Sequence, residues 1–78
     1  MSMAIAEVRV NLKEGVADPE GKNTKKALEL LGFKVKDVKV SKVYSIEIEE
    51  GMGLEDVEEM CRRLLVNPVI HSYEISIK

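Results

Sequence analysis

Near its C-terminal end the chain runs Arg62-Arg63-Leu64-Leu65-Val66-Asn67-Pro68-Val69-Ile70-His71-Ser72-Tyr73-Glu74-Ile75, which stops an amphipathic helix and hands it directly to a strand. Arg62 and Arg63 put cations where a helix C-terminus favours them. Asn67 is a common exit residue, and Pro68 lacks the N–H that another helical turn would need. Upstream, Leu54, Val57, Met60, Cys61, Leu64 and Leu65 recur at the i, i+3, i+4, i+7 spacing of a buried helical stripe. The acids Glu55, Asp56, Glu58 and Glu59 precede the arginines, as the helix dipole prefers. Glu58–Arg62 and Glu59–Arg63 are i,i+4 pairs of minor weight beside core burial. Past the proline, Tyr73, Ile75 and Ile77 share one face of a strand over Ile70 to Lys78, with Ser72, Glu74 and Ser76 opposite.

The same period of two governs the start of the chain. Ala4, Ala6, Val8, Val10 and Leu12 are apolar, and Glu7, Arg9, Asn11 and Lys13 alternate with them, which predicts a half-buried strand over Ala4 to Lys13. Glu14 to Ala17 connect it to a helix opened by Asp18-Pro19, where Asp caps free N–H groups and Pro at the first position loses no bond. Thr24, Ala27, Leu28 and Leu31 give this helix a modest apolar stripe. Gly21 weakens its first turn, and Gly32 marks its end.

Between the helices, Val38, Val40, Tyr44, Ile46 and Ile48 keep one parity, interrupted only by Lys42. A two-residue hairpin at Ser41-Lys42 would need backbone conformations that Ser and Lys supply poorly, so one long strand, bent or bulged, is preferred over a hairpin. Such a strand exceeds the usual ~17–20 Å. Two short helices cannot cover it, so part of it is expected to pair with a second copy of the chain. The order β-α-β-α-β predicts an α+β fold: an antiparallel sheet covered by two helices, with a long central strand that is bent or broken, similar to split ferredoxin-like units.

Seventy-eight residues form one domain, 1–78, at a size that often gains stability from a partner. The chain is 45% hydrophobic and 33% charged, too apolar for a disordered tail and too interrupted by charge to span a membrane. The N-terminus lacks a basic region followed by a long apolar run, so a cytoplasmic location is expected. One cysteine and one histidine allow neither an internal disulfide nor a four-ligand zinc site. A net charge of −2 offers no general attraction to nucleic acid.

Each candidate for chemistry has a plainer reading. Gly21-Lys22-Asn23-Thr24 resembles the end of a phosphate loop, but Asn23 follows the lysine, Val16 occupies the upstream glycine position, and Asp18 is anionic, so it reads as a helix cap. His71 has no identifiable partner or pocket and fits a strand start or subunit contact better than a general base. Cys61 falls on a buried stripe. The acidic run Glu47 to Glu59 lacks the alternating ligand spacing of a calcium loop. Tyr44 and Tyr73 lack the basic-aromatic signature of an RNA-recognition sheet.

Three strings, LKEGVADPEG, KALELLGF and the Arg62–Ile75 run, resemble in order and spacing the PurS family, the small subunit of phosphoribosylformylglycinamidine synthase, from about Val8 to Ile77. The family pattern has Gly-Lys where Ser41-Lys42 stands here. The resemblance implies a non-catalytic subunit that binds no cofactor itself and joins a PurL-like synthetase to a PurQ-like glutaminase. It further implies a homodimer or tetramer without nucleic acid or membrane. The complex would use ATP, with Mg, and glutamine to convert formylglycinamide ribonucleotide to formylglycinamidine ribonucleotide. Partner or dimer contacts are expected at Lys13, Asp18, Pro19, Asn67, Pro68, His71 and Tyr73, and on the long strand at Lys42, Tyr44 and Ile46. The rival reading is a dimeric ligand-binding module similar to ACT domains, although its glycine loop after the first strand has only Gly15 as a candidate.

Overall fold

A computed structural model describes residues 4–78; Met1 to Met3, the start of the segment read for an export signal, lie outside the described residues. The order is β1 (Ala4–Leu12), α1 (Pro19–Leu30), β2 (Lys42–Ile48), α2 (Leu54–Met60), a π-helical turn (Cys61–Leu65) that continues α2, and β3 (His71–Ile77). β1 lies in the middle of a three-stranded sheet ordered β2-β1-β3, antiparallel to both neighbours. Tyr44, Val8 and Ile75 stand side by side across it, as do Lys42, Val10 and Tyr73.

The even residues of β1 form the floor of the core. Ala6, Val8 and Val10 are buried together with Ile48, and with Val57, Cys61 and Val66 above them. Tyr44, Ile46, Met60, Leu65, Tyr73 and Ile75 close the margin. The opposite face carries Ile5, Arg9 and Val43 in exposed positions. A sheet with one wet face keeps its register because a one-residue slip would turn this whole apolar set to water.

Burial raises the Cys61 thiol above its ordinary pKa, and Glu58 adds to this while Arg62 opposes it. With the residue fully buried, the thiolate needed for reaction is scarce. An aromatic disulfide reagent should therefore modify Cys61 slowly in the native chain and rapidly in denaturant. Equal rates in the two conditions would contradict this placement.

The structure refines one sequence expectation and corrects two. First, the long central strand takes its broken form: regular pairing begins only at Lys42, and Val38 to Ser41 lie outside the ladder. The Val40 N–H is taken by Asp18 Oδ2 at 2.9 Å, so it points to the start of α1 and not along the sheet. Second, α2 covers the sheet but α1 stands off it, with Ala27, Leu30 and Leu31 exposed and Gly21 its one buried residue. Third, the stripe of α2 does not continue straight. The π turn, closed by Val66 N–H on the Cys61 carbonyl at 2.9 Å, inserts an extra residue and rotates Leu64 outward to 84% exposure while Val66 enters the core.

Candidate functional site

Four of the expected contact residues, Lys13, Asn67, Pro68 and His71, gather around the junction where the β1–α1 connection meets the α2–β3 connection. Lys13 bridges the two: its N–H donates to the Ile70 carbonyl at 2.8 Å and its Nζ to the Pro68 carbonyl at 2.6 Å. Asn67 organises the turn that presents that carbonyl. Its Oδ1 accepts from Val69 N–H at 3.0 Å, and its carbonyl accepts from His71 N–H at 2.8 Å. His71 answers with its side chain, Nδ1 accepting from Asn67 N–H at 3.0 Å. An imidazole nitrogen occupied in this way is unavailable as a base, which gives His71 a structural task at the mouth of the junction.

Asp18 forms a second centre. Oδ1 accepts from Gly21 N–H and Oδ2 from Val40 N–H, each at 2.9 Å, so one carboxylate both caps α1 and fastens the lead-in to β2. Pro19 follows at the first helical position, as the cap reading predicts. Gly21 sits against the Val38 carbonyl in a space that a Cβ would fill. Thr24 Oγ1 donates to the Glu20 carbonyl at 2.9 Å, a helix-internal bond that leaves the Gly21–Thr24 string as helix and not a phosphate cradle. Ser41 and Asn11 side chains meet at 2.6 Å, linking the lead-in to β1. A cleft of about 400 Å³ lies between these segments, lined by Lys13, Val16, Asp18, Lys22, Asp37 and Lys39 among others.

The structure therefore brings Lys13, Asn67, Pro68 and His71 together. A neighbouring cleft of about 380 Å³ is lined by Asp18, Lys42 and His71. Tyr44 and Tyr73 are separated from this polar junction: they flank β1 opposite Val8 and Val10 and pack at the margin of the core. Ile46 borders a different, apolar groove with Met60 and Leu64. Neither helix propensity nor the likeness to a phosphate loop reveals Gly21 as a packing residue. The signal available was its position three residues after a capping Asp. Among the described residues no three His, Cys, Asp or Glu side chains gather as metal ligands, and no helix is long and apolar enough to cross a membrane.

The two N–H donors hold the Asp18 carboxyl below its ordinary pKa of 3.8, the Val40 bond contributing most, then Gly21, with slight burial opposing them. The depressed value belongs to the folded state, so the stabilisation is fully present above 3.8 and is lost as pH falls through the folded value. The melting temperature of Asp18→Asn should lie below that of the parent at neutral pH, and the gap should narrow in acid below 3.8. A gap constant across that window would show that the carboxylate charge plays no part.

The arrangement clamps loops and packs strands. A sequence profile described as "PurS: Phosphoribosylformylglycinamidine (FGAM) synthase" matches residues 5–78. The chain is similar to the phosphoribosylformylglycinamidine synthase subunit PurS of Archaeoglobus fulgidus, 56% identical over 75 residues covering 91% of this chain and 94% of the relative. It is similar in structure to Methanocaldococcus jannaschii PurS, described as one of the subunits of formylglycinamide ribonucleotide amidotransferase in the purine biosynthetic pathway. The TM-score is 0.84 at 46% identity, over 96% of this chain and 95% of that one. A chain in the structure of PurLQS from Thermotoga maritima superposes with a TM-score of 0.83 at 30% identity over 100% of both chains. With a profile match along nearly its whole length and relatives well above 30% identity, the chain belongs to the PurS family.

Proposed function

We infer that this chain is the small, non-catalytic subunit of a phosphoribosylformylglycinamidine synthase, joining a PurL-like synthetase to a PurQ-like glutaminase. The observation that carries the reading is the end-to-end likeness to a chain of the PurLQS structure. The assembly converts formylglycinamide ribonucleotide to formylglycinamidine ribonucleotide in purine synthesis, with glutamine as nitrogen donor and ATP, with Mg, as the activating reagent. Those ligands belong to the other two subunits, and the assembly works in the cytoplasm. Two features support a purely structural contribution. His71 spends Nδ1 on a backbone N–H, and Cys61 is a buried thiol held protonated, so neither is placed to act on a substrate.

What this subunit supplies is a rigid surface. The Lys13–Pro68 bridge and the Asn67–His71 pair fix the two connections at one end of the sheet, and Asp18 fixes the third segment beside them. Residues Lys13, Asp18, Pro19, Asn67, Pro68 and His71 thus form one preorganised face for a protein partner, which lowers the ordering cost of association. The test is reconstitution of synthetase and glutaminase with and without this chain, comparing glutamine with added ammonia as nitrogen source.

A further inference from the structure

We propose that the Asn67–His71 pair is a proton-operated latch: it holds the α2–β3 connection in shape while the imidazole is neutral and releases it, with the face offered to a partner, when the ring takes up a proton. The consequence for a partner rests on the subunit reading above, because this connection belongs to the face assigned there to partner contact.

The latch follows from the direction of one hydrogen bond. Asn67 spends both its oxygens on the turn that follows it. Oδ1 receives Val69 N–H at 3.0 Å, and the carbonyl receives Ile70 N–H at 3.1 Å and His71 N–H at 2.8 Å. Its own N–H goes to His71 Nδ1 at 3.0 Å. A ring nitrogen that accepts a hydrogen bond cannot carry a hydrogen, so the imidazole is held as the neutral tautomer with its hydrogen on Nε2. A proton arriving in acid has only Nδ1 to occupy, where it sets two N–H groups head to head across a hydrogen-bond distance. The ring must then swing away. Its departure frees residues 67–71, and with them the Pro68 carbonyl that Lys13 Nζ holds at 2.6 Å. Asn67 is exposed, so water takes over its N–H, and what is lost is the shape of the turn and not the fold.

The surroundings leave this bond as the difference between the two forms of the ring. His71 pairs with Leu12 at the end of β1 and shares a cleft with Asp18 and Glu20 at the start of α1, Lys42 of β2 and Leu65 of the π turn. Two acids and a lysine thus face the cleft, Lys13 lies across the turn, and among the described residues no ion pair includes the ring. His71 is the only histidine in the chain. The Asp18 carboxyl, held below 3.8, stays ionised through the range in which imidazoles titrate, so the two responses to pH fall in separate windows.

The test starts with the full chain alone. At about pH 7.5 the nitrogen resonances of His71 should show the neutral ring with its hydrogen on Nε2, and the Asn67 N–H should be protected from exchange. At about pH 5.5 that protection, corrected for the intrinsic exchange rate, should fall by about 5-fold, as loss of one net hydrogen bond does, with circular dichroism unchanged. His71→Asn carries Oδ1 as many bonds from the backbone as Nδ1 and does not titrate, so its Asn67 N–H should keep its protection at both pH values. His71→Phe has no acceptor and should be poorly protected at both. Across the same pH change, the Kd of the parent for PurL-like synthetase mixed with PurQ-like glutaminase should rise about 5-fold more than that of His71→Asn. A neutral ring with its hydrogen on Nδ1 overturns the proposal, as does Asn67 protection indifferent to pH or to His71→Phe. So does an equal acid response of partner binding in the parent and His71→Asn. Failure to bind the partners at either pH counts against the subunit reading instead, and the ring and amide measurements then decide the latch by themselves.

Discussion

Leaving this chain out of a mixture of synthetase and glutaminase is expected to lower glutamine-driven amidation by ~10²-fold or more while amidation driven by concentrated ammonia largely survives. Ammonia released at one active centre has to arrive, unprotonated and undiluted, at an activated amide on another. Held in register, the two centres convert a bimolecular encounter into a transfer within one particle, and packed protein along the route keeps water and protons away. Added ammonia bypasses that requirement, because ATP and the ribonucleotide still meet their own groups on the synthetase. The measurement is the rate of formylglycinamidine ribonucleotide formation from each donor, at matched ATP, with and without the chain. Equal rates with and without it for both donors would remove the subunit reading. A parallel change for both donors, sensitive to a small effector, would favour a regulatory module instead.

The parts of this fold that the sequence displays are those in which one local rule acts without competition. The period of two in β1 is set by burial on one face, and Asp18-Pro19 and Gly32 place the ends of α1 through capping and positive φ. What it hides are places where two rules compete. Parity extends the central strand back to Val38, but Asp18 captures the Val40 N–H and the ladder stops at Lys42. Helical spacing places Leu64 on the buried stripe, but one extra residue in the π turn puts Val66 there in its place. The stripe of α1 has helical spacing, yet nothing in that spacing says that its own sheet leaves it uncovered. For the contact residues, the motif strings located Lys13, Asn67, Pro68 and His71. The bond that joins Lys13 to Pro68 spans 55 residues of chain and could not be read from either end alone.

Gly21→Ala is expected to destabilise the chain, against the direction that helix propensity gives. In an ordinary helical position the change would add roughly 0.5–1 kcal/mol by restricting the unfolded chain. Here the new methyl would meet the Val38 carbonyl and lie 2.8 Å from Asp18 Oδ2, so a backbone segment, and not the far end of a flexible side chain, must give way. Overpacking of this kind costs about 1–3 kcal/mol, which outweighs the propensity gain. At about 4–8 °C per kcal/mol for a domain of this size, the melting temperature should fall by roughly 5–15 °C. Gly53→Ala is the control: nothing lies within 4 Å of a Cβ there, its φ is −140°, and the change should stay within about 1 kcal/mol. The mechanism carries a second signature. Moving Val38 away from α1 also pulls Val40 from Asp18, so Gly21→Ala and Asp18→Ala break one network and their effects should add to less than their sum. Thermal unfolding of both single variants and the double variant measures this directly. A Gly21→Ala chain as stable as the parent would mean that Val38 is free to move, and with it the anchoring that holds α1 away from its own sheet.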